Sequence, residues 1–131
     1  MAEEKESRVD YMIYDKGSLG QVRVADEVLS VIAGISTMEV NGVAAMAGSN
    51  DSLRREIISR LGMKVLSNGV HTAVENGKVT ADISVVLESG AHIPDVTAAI
   101  QDKVAGSIET MTGLPVAAVN VTVADVKLED E

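Results

Sequence analysis

The dipeptide Asn76-Gly77 lies between two runs that alternate apolar and polar side chains, Gly69 to Glu75 and Lys78 to Glu88. No other short signal in the chain leaves it less freedom. Asn-Gly is the preferred pair for a two-residue type I′ turn, and such a turn fixes which residues of the flanking strands face each other. Counting outward predicts Glu75 opposite Lys78, Val74 opposite Val79, Thr72 opposite Ala81 and Val70 opposite Ile83, a largely apolar face. On the other face His71 falls opposite Asp82 and Ala73 opposite Thr80.

A helix to cover that apolar face follows directly. Pro94 suits a first helical turn, where a missing N–H costs nothing, and Asp95 places a carboxylate at the positive end of the helix dipole. Val96, Ile100, Val104, Ile108 and Met111 recur at helical spacing and form one apolar stripe, while Asp95, Asp102 and Glu109 mark the solvated side. Thr112-Gly113-Leu114-Pro115 ends the helix, with Gly113 as the left-handed cap. Val119, Val121 and Val123 then alternate with Asn120 and Thr122, the period of a strand with one buried face.

The first half of the chain repeats this plan. Val22 and Val24 give a short strand over Gly20 to Ala25, and Asp26 or Glu27 opens a helix carrying Val28, Leu29, Val31, Ile32, Ile35 and Met38. Asn41-Gly42 stops it, and Val43 to Met46 is extended. Glu39 falls near the apolar side of the last turn, so it is either a buried carboxylate, which would flag function, or a side chain that escapes to water at the helix end. The expected fold is α+β, a two-layer sandwich in the order βαβ-(α)-ββαβ, a ferredoxin-like split βαβ arrangement with an extra short helix.

That extra helix is predicted over Asp51 to Leu61, with Asp51 as N-cap and Gly62 at its end. Arg54, Arg55, Arg60 and Lys64 concentrate four of the eleven basic residues here, in a chain of net charge −9. They are the candidate contact for an acidic partner, a phosphate or a membrane surface, with a solvated face and internal salt bridges as the plainer alternative. Residues 1–18 read as a flexible N-terminal tail, except that the island Val9 to Tyr14 has the character to add a strand to a sheet edge or to meet a second chain. A single domain is expected over residues 19–126, followed by an acidic tail over 127–131.

Composition excludes several function classes. The acidic balance repels nucleic acid, and with neither Phe nor Trp and only two Tyr the chain lacks stacking platforms for single strands. With no Cys there are no disulfides, thiolate metal sites or Cys nucleophiles. The acidic start has no apolar secretory region, and no stretch reaches the roughly 18 to 20 apolar residues of a membrane span. A cytoplasmic location is expected.

Candidate chemistry is sparse. His71 beside Asp82 is the nearest approach to a catalytic pair, since a carboxylate can orient an imidazole, but a nucleophile would still be needed, and a polar cross-strand pair on a solvated sheet face is the commoner explanation. His92 reads as a loop residue, and two histidines this far apart make no metal motif. Gly17-Ser18-Leu19-Gly20 precedes a strand and lacks a following Gly-Lys-Ser/Thr, so it is not a phosphate cradle. No cofactor is expected.

Several runs together resemble the alkaline shock protein 23 family, envelope stress response proteins of Gram-positive bacteria. They are Gly20-Gln21-Val22-Arg23-Val24-Ala25, Val31-Ile32-Ala33-Gly34-Ile35, Glu39-Val40-Asn41-Gly42-Val43, Gly90-Ala91-His92-Ile93-Pro94-Asp95-Val96, Met111-Thr112-Gly113-Leu114 and Val119-Asn120-Val121-Thr122-Val123. The chain departs at Asp26, where the family often has Pro, and at Ser89, where it often has an aromatic residue. The resemblance implies a cytoplasmic protein without catalytic residues, in some members held at the membrane by a separate anchor protein. It also implies links to cell-envelope homeostasis or to control of fatty-acid synthesis. The expected function is therefore a non-enzymatic interaction or scaffold protein in the envelope stress response, with a protein partner such as a small membrane anchor, and with homo-oligomers open through free sheet edges. The alternative is a regulator of a metabolic enzyme such as acetyl-CoA carboxylase.

Overall fold

In the computed structural model, which describes residues 11–15, 17–47 and 69–128, the elements run β1 (Tyr11–Asp15), a 3-10 turn (Gly17–Leu19), β2 (Gln21–Ala25), α1 (Asp26–Met38), β3 (Val43–Met46), β4 (Val70–Glu75), β5 (Lys78–Glu88), α2 (Ile93–Thr112) and β6 (Val116–Lys127). The helix predicted over Asp51 to Leu61, with Arg54, Arg55, Arg60 and Lys64, lies outside the described residues.

The hairpin has the expected register, from Glu75 opposite Lys78 to Val70 opposite Ile83, and Asn76 and Gly77 take φ of 54° and 76°. Around it β5 is the axis of a four-stranded sheet. Its odd-numbered side chains Val79, Ala81, Ile83, Val85 and Leu87 are buried, and its even-numbered ones are exposed or half-buried. β6 runs parallel to it on one side, from Val79 opposite Val116 to Glu88 opposite Lys127. On the other side β4 and β3 share its length, both antiparallel.

Both helices cover the odd-numbered face. Leu29, Ile32 and Ala33 from α1 and Val96, Ile100, Val104 and Ile108 from α2 meet Val43, Met46, Val119 and the β5 row in one core. This core is aliphatic throughout. Burial of each Val, Leu or Ile contributes about 1.5–3 kcal/mol, which makes the stripe predicted on α2 the main reason that it lies here. Gly113 ends α2 at φ 78°, with its N–H donating to Glu109 C=O at 2.9 Å.

The fold is α+β in two layers, as the sequence leads one to expect. Within it, β5 and β6 are direct neighbours, so no strand separates the two parallel strands of the β5-α2-β6 unit. The split arrangement is absent for a second reason too, because β2 joins a separate two-stranded ribbon with β1, from Tyr11 opposite Ala25 to Asp15 opposite Gln21. Of the island Val9 to Tyr14, the described residues Tyr11 to Tyr14 belong to β1 and pair with β2. What draws β2 out of the main sheet is this local partner, one short connection away in the chain.

Ser30 and Thr72, both nearly inaccessible, share a hydrogen bond of 3.1 Å between hydroxyls, and Thr72 Oγ1 also lies 3.4 Å from Asp26 Oδ1. This chain of groups pins the start of α1 to β4.

Candidate functional site

Three places carry side chains that sequence reasoning singled out. The first is the sheet face that neither α1 nor α2 covers. His71, Asp82 and Asn120 stand side by side there on β4, β5 and β6, and all three are exposed. The imidazole does not bond to Asp82. Instead Asn120 Nδ2 donates to Asp82 Oδ1 at 2.8 Å, so the carboxylate is held from the far side, by a residue the sequence reading had only as part of a strand. Its pairing was not legible because it needs the parallel register of β5 with β6, which spans the whole of α2. The row is open to water, and among the described residues no nucleophile is bonded to the imidazole.

The second place is the seam between the end of α1 and the start of α2. Glu39 reaches water and pairs with Lys103 at 3.3 Å, each about half exposed. The carboxylate therefore takes the second of the two readings offered by the sequence, escape at the helix end. Nearby His92 occupies the N-cap of α2, with Nδ1 3.0 Å from Asp95 Oδ2, again on exposed side chains. Among the described residues no cluster of three or more His, Asp or Glu is able to hold a metal ion.

The third place is the edge made by β3 and β4. Met46 pairs with Val85 and Val70 with Ile83, leaving one position between them, opposite Ser84. Two residues fill it. Ala47 N–H donates to Ser84 C=O at 2.9 Å, and Ser84 N–H donates to Gly69 C=O at 2.8 Å. β3 and β4 thus continue one another along β5, with Ala47 and Gly69 at the single ladder position between them. Gly69 takes φ 78°, and a Cβ there would lie 2.9 Å from Ala47 O and 3.0 Å from Ser84 O. Arg54, Arg55, Arg60 and Lys64 all belong to the interval 48–68 of the chain.

A family model for alkaline shock protein 23, described as cell envelope-related in function, matches residues 14–128. The chain belongs to this family. Among relatives of this alkaline shock protein 23 chain, the Bacillus subtilis protein named "Uncharacterized protein YqhY" is 30% identical over 125 residues, 95% of the chain and 90% of the relative. "Uncharacterized protein YloU" of the same organism is 27% identical over 109 residues, 83% and 90% of the two chains. A Streptococcus pyogenes protein named "Stress response regulator gls24 homolog" is 27% identical over 113 residues, which span 86% of the chain and 62% of that longer relative. No solved structure matches the chain. The match of the alkaline shock protein 23 model takes in β2, both helices, the whole four-stranded sheet and the interval 48–68. Among the described residues no helix is long and apolar enough to cross a membrane.

Proposed function

We propose that this alkaline shock protein 23 chain is a non-enzymatic docking protein of the envelope stress response, held peripheral to the membrane through a protein partner such as a small membrane anchor. One observation carries the reading. Ala47 and Gly69, which flank residues 48–68 in the chain, meet at the single position opposite Ser84, so the ladder of described residues continues from Met46 to Val70. A chain of net charge −9 with eleven basic residues thus gathers Arg54, Arg55, Arg60 and Lys64 on a stretch that the ladder does not require. Cations concentrated on an otherwise acidic body suit a partner with an acidic surface, which they would attract and orient. The cell envelope-related description of the family supplies the setting.

The test is capture of cross-linked partners from native cells, using tagged wild type and a variant with Arg54, Arg55 and Arg60 all changed to Glu. Loss of the specific partners, with an unchanged thermal melt of the purified variant, is the expected result. The same partners recovered by both proteins would overturn the assignment of the contact to this stretch.

A further inference from the structure

Among the described residues the outer edge of β6 is the longest backbone edge left open, and its peptide groups can be accounted for one by one. Along β5, the odd-numbered residues serve β6 and the even-numbered ones serve β3 and β4: Val79 N–H donates to Pro115 C=O at 2.9 Å, whereas Ser84 and Glu88 donate to Gly69 and Gly42. In such a parallel ladder the residue of β6 that sits opposite an odd-numbered β5 residue turns its own N–H and C=O away from β5. These residues are Val116, Val119, Val121, Val123 and Val126.

Side chains already occupy three of the five. Glu109 Oε2 accepts from Val116 N–H at 3.4 Å, Gln101 Nε2 donates to Val119 C=O at 3.0 Å, and Asp125 Oδ1 accepts from Val126 N–H at 2.8 Å. Among the described residues of this edge, Val121 and Val123, flanking exposed Thr122, are the ones that keep both N–H and C=O bare, whereas Val116, Val119 and Val126 each have one of the two taken. No charged side chain interrupts the strand from Val116 to Ala124, and β-bulges bracket this window on both sides, so the usual protections of an edge are missing only here. The opposite edge of the sheet is broken between β3 and β4, where Ala47 and Gly69 share the position opposite Ser84.

We infer that the β6 edge pairs with the β6 edge of a second copy, antiparallel, about a two-fold axis through Thr122. The bare groups choose both the occupant and the register. Two donors and two acceptors spaced two residues apart are their own complement: Val121 exchanges both bonds with Val123 of the second copy, and Val123 with its Val121. An axis through Val121 would set Val123 against Val119, whose carbonyl is already taken by Gln101. An axis through Val123 would run the pairing into the bulge at Ala124. Pairing about Thr122 joins two four-stranded sheets into one, with half-buried Val121 and Val123 meeting their counterparts on the helix side. The inference does not depend on the docking reading above.

The absence of Cys makes the test clean. At the axis Thr122 faces its own copy as a non-hydrogen-bonded pair, with Cα atoms about 4.5 Å apart, within the range a disulfide spans. Thr122→Cys is therefore expected to form a disulfide-linked dimer under mild oxidation. Thr80→Cys, on the same face of β5 and opposite Ala118, serves as the control, because three strand spacings, about 14 Å across the sheet, and a further offset along the strands would separate it from its copy. Sedimentation of the wild type is expected to show a dimer, and Thr122→Lys, which puts like charges face to face on exposed side chains, is expected to shift it to monomer with its thermal melt retained. A wild type that stays monomeric, cross-linking of Thr122→Cys no faster than of Thr80→Cys, or a dimer unaffected by Thr122→Lys would each overturn the inference.

Discussion

Ala47 and Gly69 occupy one position of the β-ladder between them, Ala47 giving its N–H to Ser84 and Gly69 receiving the N–H of Ser84. Such sharing is tight. Gly69 has its φ at 78°, and the atoms that a side chain would strike, Ala47 O and Ser84 O, are backbone atoms that cannot rotate aside. Gly69→Ala is expected to lower stability by about 1–3 kcal/mol, the usual range for a strained backbone position. Urea unfolding monitored by circular dichroism measures it.

The buried hydroxyl pair Ser30 and Thr72 gives a second expectation. Thr72→Val keeps the shape but leaves Ser30 without its partner, which costs about 1–3 kcal/mol. Replacing both, Ser30→Ala with Thr72→Val, removes the unsatisfied group as well, so the double variant should be more stable than the sum of the singles implies, by at least about 0.5 kcal/mol. A double-mutant cycle of urea unfolding reads this difference, and strict additivity would contradict the coupling.

Along α2, Ile100 and Ile108 are inaccessible to solvent while Met111, which continues the same apolar stripe in the sequence, is 70% exposed. Ile100→Ala and Ile108→Ala should each cost about 2–5 kcal/mol. Met111→Ala should stay within about 0.5 kcal/mol of wild type, as exposed positions do. Equal losses at Met111 and Ile108 in denaturant titrations would show that the end of the helix is covered after all.

His71 has no hydrogen bond among the described residues, and the carboxylate opposite it is held by Asn120. His71→Ala should therefore leave stability within about 0.5 kcal/mol. A loss well above that in the same assay would mean that the imidazole takes part in the polar row.

How far the sequence reaches can be followed through particular residues. Asn76-Gly77 dictated every pair of the β4 to β5 register, because a two-residue turn leaves no choice. The stripe of α2 was readable for the same reason of locality, its period being set within the helix. β3 and β4 were read as separate strands, since nothing in the neighbourhood of Ala47 or Gly69 announces that they meet opposite Ser84. Likewise the alternation of β6 shows which side chains go inward, but not that β5 is its direct neighbour. Hence the bond from Asn120 to Asp82, and the capping of the β6 edge by Gln101 and Glu109, became visible only with the register in three dimensions.

The ribbon of β1 and β2 holds both tyrosines of a chain that has no tryptophan or phenylalanine. Near-ultraviolet absorption and intrinsic fluorescence therefore report on Tyr11 and Tyr14 alone, and the aliphatic core is optically silent at those wavelengths. Two-stranded ribbons are marginal by themselves, so heating should divide the optical record in two: the tyrosine signal changes as the ribbon frays, and the far-ultraviolet signal changes later, when the main sheet and its helices melt.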